Sequence, residues 1–179
     1  LFGDWLCYWY ENHSKPMLRA STQNNYENVI YNHVLPEIGK IPLNKLSQND
    51  LQQFYGRLKK NGRKRLTEQY GAGLSDRMVR MCHAVCRSAL ERAVRDDLLR
   101  TNPAIGCKLP PKKAKEMQVL DREELQKFLI QAQADGYYEL FLLDLCTGLR
   151  RGELIALQWE DLNFETGVLT VNKQAYTVN

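Results

Sequence analysis

A stretch rich in proline and lysine divides this chain of 179 residues into two parts. Residues 107–116 read Cys-Lys-Leu-Pro-Pro-Lys-Lys-Ala-Lys-Glu. The adjacent prolines Pro110 and Pro111 exclude a helix here, because each lacks the backbone N–H donor. Proline and repeated positive charge together favour an extended path. We therefore expect two small domains joined by a basic linker.

The part before this stretch has the hydrophobic periodicity of a helical bundle. Its first residues already follow one helical face, so we expect the chain to be a piece of a longer protein. That face consists of Phe2, Trp5, Leu6 and Trp9. A second helix is expected to start at Ser21 or Thr22, since either hydroxyl is a suitable cap.

Two later helices in this part carry recognisable start signals. Ser47 and Asp50 have the spacing of a capping box, with Asp in place of the usual Glu. The longest helix is expected to begin at Leu74–Ser75 and to run to about Leu99, before Asn102-Pro103. Its interior face would be formed by Val79, Cys82, Cys86, Ala89 and Ala93.

The part after the linker mixes helix signals with one strand signal. Asp121 is an acidic cap for a helix, and Tyr138 to Cys146 is an apolar run of helical length. Gly167–Val171 is β-branched and alternating, which predicts a strand. A lone strand does not complete a sheet, so we expect this domain to be incomplete.

The net charge of +4 is unevenly distributed. Residues 121–179 hold five of the 25 basic and ten of the 21 acidic residues, which gives −5. Residues 1–120 therefore hold 20 basic and 11 acidic residues, which gives +9. A basic first part indicates a polyanionic partner, most simply nucleic acid.

The five cysteines are an odd and scattered set, which favours reduced thiols and a cytoplasmic location. Cys82 and Cys86 share one helix face, but no further cysteine or histidine completes a set of four ligands. We interpret the pair as buried side chains and expect no metal. No apolar run reaches the length of a membrane span and no signal peptide is present, so no membrane partner is expected.

One side of the longest helix carries basic side chains. Arg77, Arg80, His83 and Arg87 fall near one another, opposite much of the apolar stripe. Such a face suits contact with DNA phosphates, although the solvated face of a bundle has the same pattern. The net charge of this part favours DNA.

Other polar residues are candidates for phosphate contact. Ser21, Thr22 and Asn24 offer hydroxyl, amide and backbone donors near a helix start, although simple capping explains them equally well. In the linker, the DNA-binding candidates are Lys112, Lys113 and Lys115. The basic run from Lys59 to Arg65 is a further candidate and the weakest, since a solubilising turn has the same pattern.

The second part contains two adjacent arginines, Arg150 and Arg151, between the glycines Gly148 and Gly152. A guanidinium is a planar fork that binds a phosphate through two hydrogen bonds, and it stays charged at any working pH. Glu153 follows three residues after Arg150. A surface arginine pair at a helix start is the plain alternative.

This string resembles the first active-site box of the tyrosine recombinases, the phage and transposon integrase family. That box reads Thr-Gly-Leu-Arg-x-x-Glu-Leu, followed by a leucine and by Trp-x-Asp. The matching residues here are Thr147, Gly148, Leu149, Arg150, Glu153, Leu154, Leu157, Trp159 and Asp161.

The first part resembles, more loosely, the core-binding domain of integrases from phages and conjugative transposons. The residues that carry this resemblance are Trp5, Thr22, Tyr26, Pro36, Gly39 and Asn102-Pro103. The resemblance implies a mainly α fold. It places a helical, SAM-like core-binding domain over residues 1–106, a basic linker over 107–117, and the truncated start of an α+β catalytic domain over 118–179.

The resemblance also implies the chemistry. In this family a tyrosine attacks the scissile phosphate to make a 3′-phosphotyrosyl bond, and a free 5′-hydroxyl reverses the step, with no metal, ATP or other cofactor. By motif position Arg150 is the first catalytic arginine, and Glu153 is the acid that orients basic partners. The family's lysine is expected beyond residue 179, with Lys173 as the alternative.

The remaining parts of the family's active site are not found in the sequence. None of the three histidines begins a His-x-x-Arg box, and no tyrosine stands where the nucleophile belongs. We therefore expect this fragment to bind double-stranded DNA without cutting it. The intact protein is expected to recombine DNA as a tetramer, with an excisionase-type accessory factor as a candidate partner. A non-enzymatic DNA-binding regulator and a helical protein-interaction module are the alternatives.

Overall fold

The computed structural model describes residues 1–111 and 116–176. The chain divides into two compact units, Leu1–Ala114 and Lys115–Asn179. The described part is mainly helical, which confirms the fold class expected from the sequence. Within the described ranges, no helix combines the length and the apolar composition needed to cross a bilayer.

Unit 1 is built from helices alone over its described residues. Its α-helices are α1 (Phe2–Trp9), α2 (Ala20–Val29), α3 (Leu35–Ile38), α4 (Gln48–Asn61), α5 (Thr67–Tyr70) and α6 (Asp76–Arg95). Two π-helical turns extend α1 and α2, Tyr10–Ser14 and Ile30–Val34. Short 3₁₀ turns follow at Lys15–Met17 and Leu43–Lys45.

The core of unit 1 lies between α1, the α2–α3 region, α4 and α6. All five residues predicted for the interior face of the longest helix are buried, from Val79 to Ala93. The indole nitrogen of Trp5 donates to the carbonyl oxygen of Ala89 over 2.8 Å and ties α1 to α6. The amide of Gly3 donates to the Gly39 carbonyl over 2.9 Å. The two backbones are so close that a Cβ atom on Gly3 would lie 3.0 Å from the Gly39 carbonyl oxygen.

The start of α6 agrees with the sequence, but its end does not. Ser75 is the N-cap, and its hydroxyl accepts the amide of Met78 at 3.3 Å. The helix ends at Arg95, not near Leu99, because Asp97 has a φ of 57°. The amide of Leu98 then bonds the Ala93 carbonyl at 2.9 Å, which closes the helix as a Schellman motif.

The predicted cap of α2 was wrong. Arg19 is the N-cap, with extended backbone angles and no capping hydrogen bond from its side chain. The amide of Thr22 already bonds the Arg19 carbonyl at 2.8 Å. Ser21 and Thr22 therefore lie inside the first turn, where their hydroxyls are not used as caps.

Unit 2 contains three α-helices, a 3₁₀ turn (Trp159–Asp161) and a short hairpin over its described residues. Its elements are α7 (Arg122–Ala134), α8 (Tyr138–Thr147), α9 (Arg151–Ala156), β1 (Leu162–Asn163) and β2 (Val168–Leu169). Asp121 caps α7 as expected, since its carboxylate accepts the Glu124 amide at 2.9 Å. The rings of Phe128 and Phe141 meet edge to face at 4.9 Å and join α7 to α8.

The strand expected at Gly167–Val171 is present in shorter form, as β2. It pairs antiparallel with β1, so that Leu162 lies opposite Leu169 and Asn163 opposite Val168. The side chain of Asn163 also accepts the amides of Glu165 and Thr166 and shapes the turn. The partner strand β1 is only two residues long and follows a 3₁₀ turn, so alternation along the sequence did not indicate it.

Candidate active-site box and nucleic-acid interface

A glycine in the left-handed region sets the entry to the arginine box. Gly148 has a φ of 65° and ends α8, with its amide bonded to the Asp144 carbonyl at 2.7 Å. A residue with a Cβ atom adopts this conformation at a cost, and glycine does not. Two residues later, Arg150 has extended backbone angles and is the N-cap of α9.

Glu153 holds Arg150 by both its backbone and its side chain. One carboxylate oxygen accepts the Arg150 amide at 2.9 Å, and the other accepts the guanidinium at 3.0 Å. These bonds from Arg150 lower the pKa of Glu153, with the backbone bond contributing most. The side chain of Arg150 is 84% exposed, whereas that of Glu153 is 20% exposed. The arginine therefore keeps accessible donors for an anion, and the glutamate positions it.

The residues after the hairpin return to the helix that follows Arg150. The amide of Ala175 bonds the Gly152 carbonyl at 2.7 Å. A Cβ atom on Gly152 would lie 2.8 Å from the Ala175 carbonyl oxygen. Gly152 therefore permits two backbone segments to approach each other directly.

Lys173 lies close to two acidic side chains of unit 2. Its Nζ atom is 3.0 Å from Asp161 and 3.5 Å from Glu160. The carboxylate of Asp161 also accepts the Gln158 amide at 2.8 Å. The Gln158 bond, followed by the bond to Lys173, lowers the pKa of Asp161, and Asp161 raises that of Lys173. The aspartate of the Trp-x-Asp motif thus binds a lysine that the sequence alone did not connect to it.

The four residues predicted for the basic side of α6 differ in their exposure to solvent. Arg77 and Arg87 are exposed, as a phosphate contact requires. Arg80 is half-buried and donates through Nε to the carbonyl oxygen of Pro110 over 2.8 Å. The remaining member, His83, is buried with 8% exposure.

The predicted placement of His83 on an exposed face was wrong. Its Nδ1 atom lies 3.3 Å from the hydroxyl of Tyr55, and the two rings meet edge to face at 5.4 Å. Burial lowers the pKa of His83, helped by the charges of Arg87 and Arg80. Packing of α4 against α6 covers this side chain, and periodicity within α6 does not report that contact.

The start of α2 presents the other predicted contact residues. Ser21 and Asn24 are exposed and Thr22 is half-buried. The three predicted linker contacts, Lys112, Lys113 and Lys115, lie outside the described residues.

The chain just before those lysines is held against unit 1. The side-chain amide of Gln52 accepts the Lys108 amide at 2.8 Å and donates to the Lys108 carbonyl at 3.0 Å. Leu109 also packs on the core. Sequence reasoning missed Gln52, because one glutamine on an amphipathic helix gives no sign of a partner 56 residues away.

Comparison with known proteins finds similar sequences among integrases and tyrosine recombinases. Residues 1–59 match the family described as phage integrase, N-terminal SAM-like domain. The chain is 25% identical over 171 residues to an integrase of Saccharopolyspora erythraea, covering 94% of this chain and 37% of the relative. It is 33% identical over 114 residues to the tyrosine recombinase XerC of Xanthomonas campestris pv. campestris, covering 61% and 35%. The chain is thus similar to tyrosine recombinases and integrases over most of its length.

A solved structure has the same fold as this chain. The Tn1549 transposon integrase, in complex with a circular intermediate DNA, matches with a TM-score of 0.79 at 20% identity. The match covers 97% of this chain and 52% of that one. The chain spans 37% and 39% of the length of the first two curated relatives.

Proposed function

We propose that the protein of which this chain is a part cuts and rejoins DNA at specific sites as a tyrosine-type strand transferase. The observation that carries this proposal is the geometry of Arg150. Its guanidinium is exposed and is held at the start of α9 by Glu153. A fixed, permanently charged fork of donors suits a phosphoryl group that gains negative charge.

In the proposed reaction, a tyrosine hydroxyl attacks the scissile phosphorus. A 3′-phosphotyrosyl bond forms, and the bond to the 5′ oxygen breaks to release a 5′-hydroxyl. The 5′-hydroxyl of another strand then attacks the same phosphorus and releases the tyrosine. Both steps pass through a pentacoordinate phosphorane, whose charge Arg150 would neutralise. We propose that the nucleophilic tyrosine, the His-x-x-Arg box and the family's lysine lie beyond residue 179.

The first unit would supply DNA binding. We propose a core-binding domain over residues 1–106, the linker over 107–117 and the start of the catalytic domain over 118–179. The exposure of Arg77, Arg87, Ser21 and Asn24 supports phosphate contact from unit 1. The contact proposed for Lys112, Lys113 and Lys115 rests on their charge alone.

We propose that four protomers assemble on the DNA in the intact protein. An excisionase-type accessory factor would set the direction of the reaction. Both proposals rest on the family resemblance.

The test compares two conservative variants of adjacent arginines in the full-length protein. Arg150→Lys retains the charge but loses the planar fork. We expect cleavage of a suicide substrate to fall on the order of 100-fold or more, with duplex binding largely unchanged. Arg151→Lys is the matched control, since Arg151 occupies a variable position of the box.

Two results would contradict the proposal. Unchanged cleavage by Arg150→Lys would remove this residue from the active site. A wild-type full-length protein that binds duplex DNA but never forms a covalent phosphotyrosyl product would instead be a non-enzymatic DNA-binding regulator.

A further inference from the structure

Unit 1 contains a positively charged cleft, and its basic residues are not among the DNA contacts of the proposed function. The cavity measures about 400 Å³ and lies between the end of α2, the loop after α4 and the start of α6. We call it the basic cleft. Its lining residues are Asn28, Asn32, His33, Arg63, Lys64, Arg65, Leu74 and Met78.

The loop that supplies the cations is folded onto itself. Arg63 donates its backbone amide to the Ala72 carbonyl at 2.8 Å and its Nε to the Gly73 carbonyl at 3.2 Å. Its guanidinium also lies over the ring of Tyr70, 5.3 Å from the centroid. These contacts fix Arg63 at the wall of the cleft, whereas Lys64 and Arg65 are exposed. The basic run is therefore a shaped wall, not only a solubilising turn.

The opposite wall is polar and uncharged. Asn32 donates its side-chain amide to the side-chain oxygen of Asn28 over 2.9 Å, so the two share one helical face. His33 is buried, with 6% exposure. Burial and the charge of Lys64 lower its pKa. A neutral imidazole keeps one N–H donor for a ligand.

The cations of this cleft have no acidic neighbour in its lining. Among the described residues that line it, three are basic and none is acidic. A second cavity of about 530 Å³ gives the contrast, because it includes Glu91 beside its arginines. There Arg92 is already paired with Asp96 at 2.8 Å. The lining of the basic cleft therefore favours an anionic ligand without a competing carboxylate, whereas Glu91 competes for the cations of the second cavity.

The basic cleft continues the surface proposed for DNA contact. On α2, Asn24 and Asn28 are four residues apart and lie on one face, which leads from Ser21 towards the cleft. On α6, Met78 lines the cleft, and the exposed Arg77 is the residue before it in the chain. The cleft is therefore lined by residues of the two helices that also carry the proposed phosphate contacts Ser21 and Arg77.

We propose that the basic cleft binds a backbone phosphate of duplex DNA, at a position separate from Arg150. This inference rests on the proposed DNA-binding function and adds a contact to it. Arg65 and Lys64 would neutralise the phosphate, and His33 and Asn32 would donate to its oxygens. The recognised group carries no sequence information, so the contact orients the protein on DNA without selecting a site.

The experiment measures duplex binding by the 179-residue chain as a function of salt. The test variant is Lys64→Ala with Arg65→Ala, because both side chains are exposed and Arg63 is needed for the loop. The control is Lys40→Ala with Lys45→Ala, which removes the same charge from two exposed residues outside the cleft lining. We expect the test variant to reduce the slope of log affinity against log salt by about 1–2, and the control to change it little.

A local signal separates a phosphate contact from a general charge effect. We expect the side-chain amide resonances of Asn32 and the ring resonances of His33 to shift when duplex is added to the wild-type chain. In the Lys64→Ala, Arg65→Ala variant these shifts should be lost, while signals of the α2 start still respond.

The outcomes distinguish the two proposals. If the wild-type chain binds duplex with a steep salt slope but the test variant matches the control, the cleft contact is wrong and the DNA-binding function stands. If the wild-type chain shows no salt-dependent duplex binding, both are overturned.

Discussion

The guanidinium of Arg80 donates from Nε to the backbone carbonyl oxygen of Pro110 over 2.8 Å. This bond joins α6 to the chain that leaves unit 1, although the sequence placed Arg80 among the phosphate contacts. Arg77, one turn earlier on the same helix, is exposed. Two arginines of one sequence pattern therefore have different surroundings, and we expect them to respond differently to substitution.

Replacing Arg77 and Arg80 separately with alanine tests this difference. We expect Arg77→Ala to reduce the slope of log affinity for duplex against log salt by about 1, because one phosphate contact is lost. Arg80→Ala should leave the slope unchanged. Fluorescence anisotropy at a series of salt concentrations measures both. An equal loss of slope in the two variants would show that Arg80 also binds phosphate.

The backbone of Lys108 offers a second test of how the start of the linker is held. Gln52→Ala removes the amide that both accepts from and donates to Lys108. We expect hydrogen exchange at the Lys108 amide to accelerate by about tenfold. This factor corresponds to roughly 1.4 kcal/mol, which is close to the net stabilisation that one or two hydrogen bonds contribute. Gln53→Ala, the exposed neighbour, is the control. Unaltered exchange in Gln52→Ala would mean that other contacts hold this segment.

Local signals in the sequence predicted much of the fold. The capping box of Ser47 and Asp50 forms as expected, with the Asp50 carboxylate 2.9 Å from the Ser47 amide. Both partners lie within one turn, so the pattern contains the whole interaction. The apolar stripes of α4 and α6 were likewise readable, because burial follows the helical period.

Features that depend on distant residues were not predicted. His83 is buried because Tyr55, on another helix, covers it. Arg80 is engaged because its acceptor lies 30 residues later. The end of α6 depends on Asp97 adopting positive φ, which aspartate tolerates but does not require. In the arginine box, the motif pointed to Arg150 and Glu153 as candidate site residues. The contact of Gly152 with Ala175 could be seen only in the folded structure, because the two residues are far apart in the sequence.

Two glycines give opposite expectations for alanine substitution. At Gly152 a Cβ atom would lie 2.8 Å from the carbonyl oxygen of Ala175, a backbone atom that cannot simply rotate away. We expect Gly152→Ala to lower the free energy of unfolding of unit 2 by roughly 1–3 kcal/mol. Gly56 lies within α4, and a Cβ atom added there would meet no other atom within 4 Å. Gly56→Ala should therefore stabilise unit 1 by about 0.5–1 kcal/mol.

Denaturant titrations followed by the amide resonances of α9 and α4 measure the two changes separately. Equal stability of Gly152→Ala and the wild-type chain would show that residues 174–176 move aside without cost.

The carboxyl of Asp161 is expected to titrate below its ordinary range. Because its pKa is lowered in the folded state, it contributes stability above the pKa of the unfolded chain, and this contribution is lost as pH falls through the lower folded value. In Lys173→Ala the pKa should rise only part of the way, since the Gln158 amide still donates to the carboxylate. Carbon chemical shifts measured against pH report this titration. A pKa unchanged by Lys173→Ala would show that the ion pair does not form in solution.

The two bonds that Glu153 accepts from Arg150 share one carboxylate, and this affects how mutational screens of the intact protein should be interpreted. Any substitution that frays the first turn of α9 also releases the arginine from its orientation. Leu154, one residue further along, is an example, because it is buried: truncating it is expected to loosen this turn and so to lower the proposed cleavage activity indirectly. A loss of activity in this turn is therefore not proof of a chemical role. Such variants need a measurement of helix integrity before any residue is assigned to the reaction.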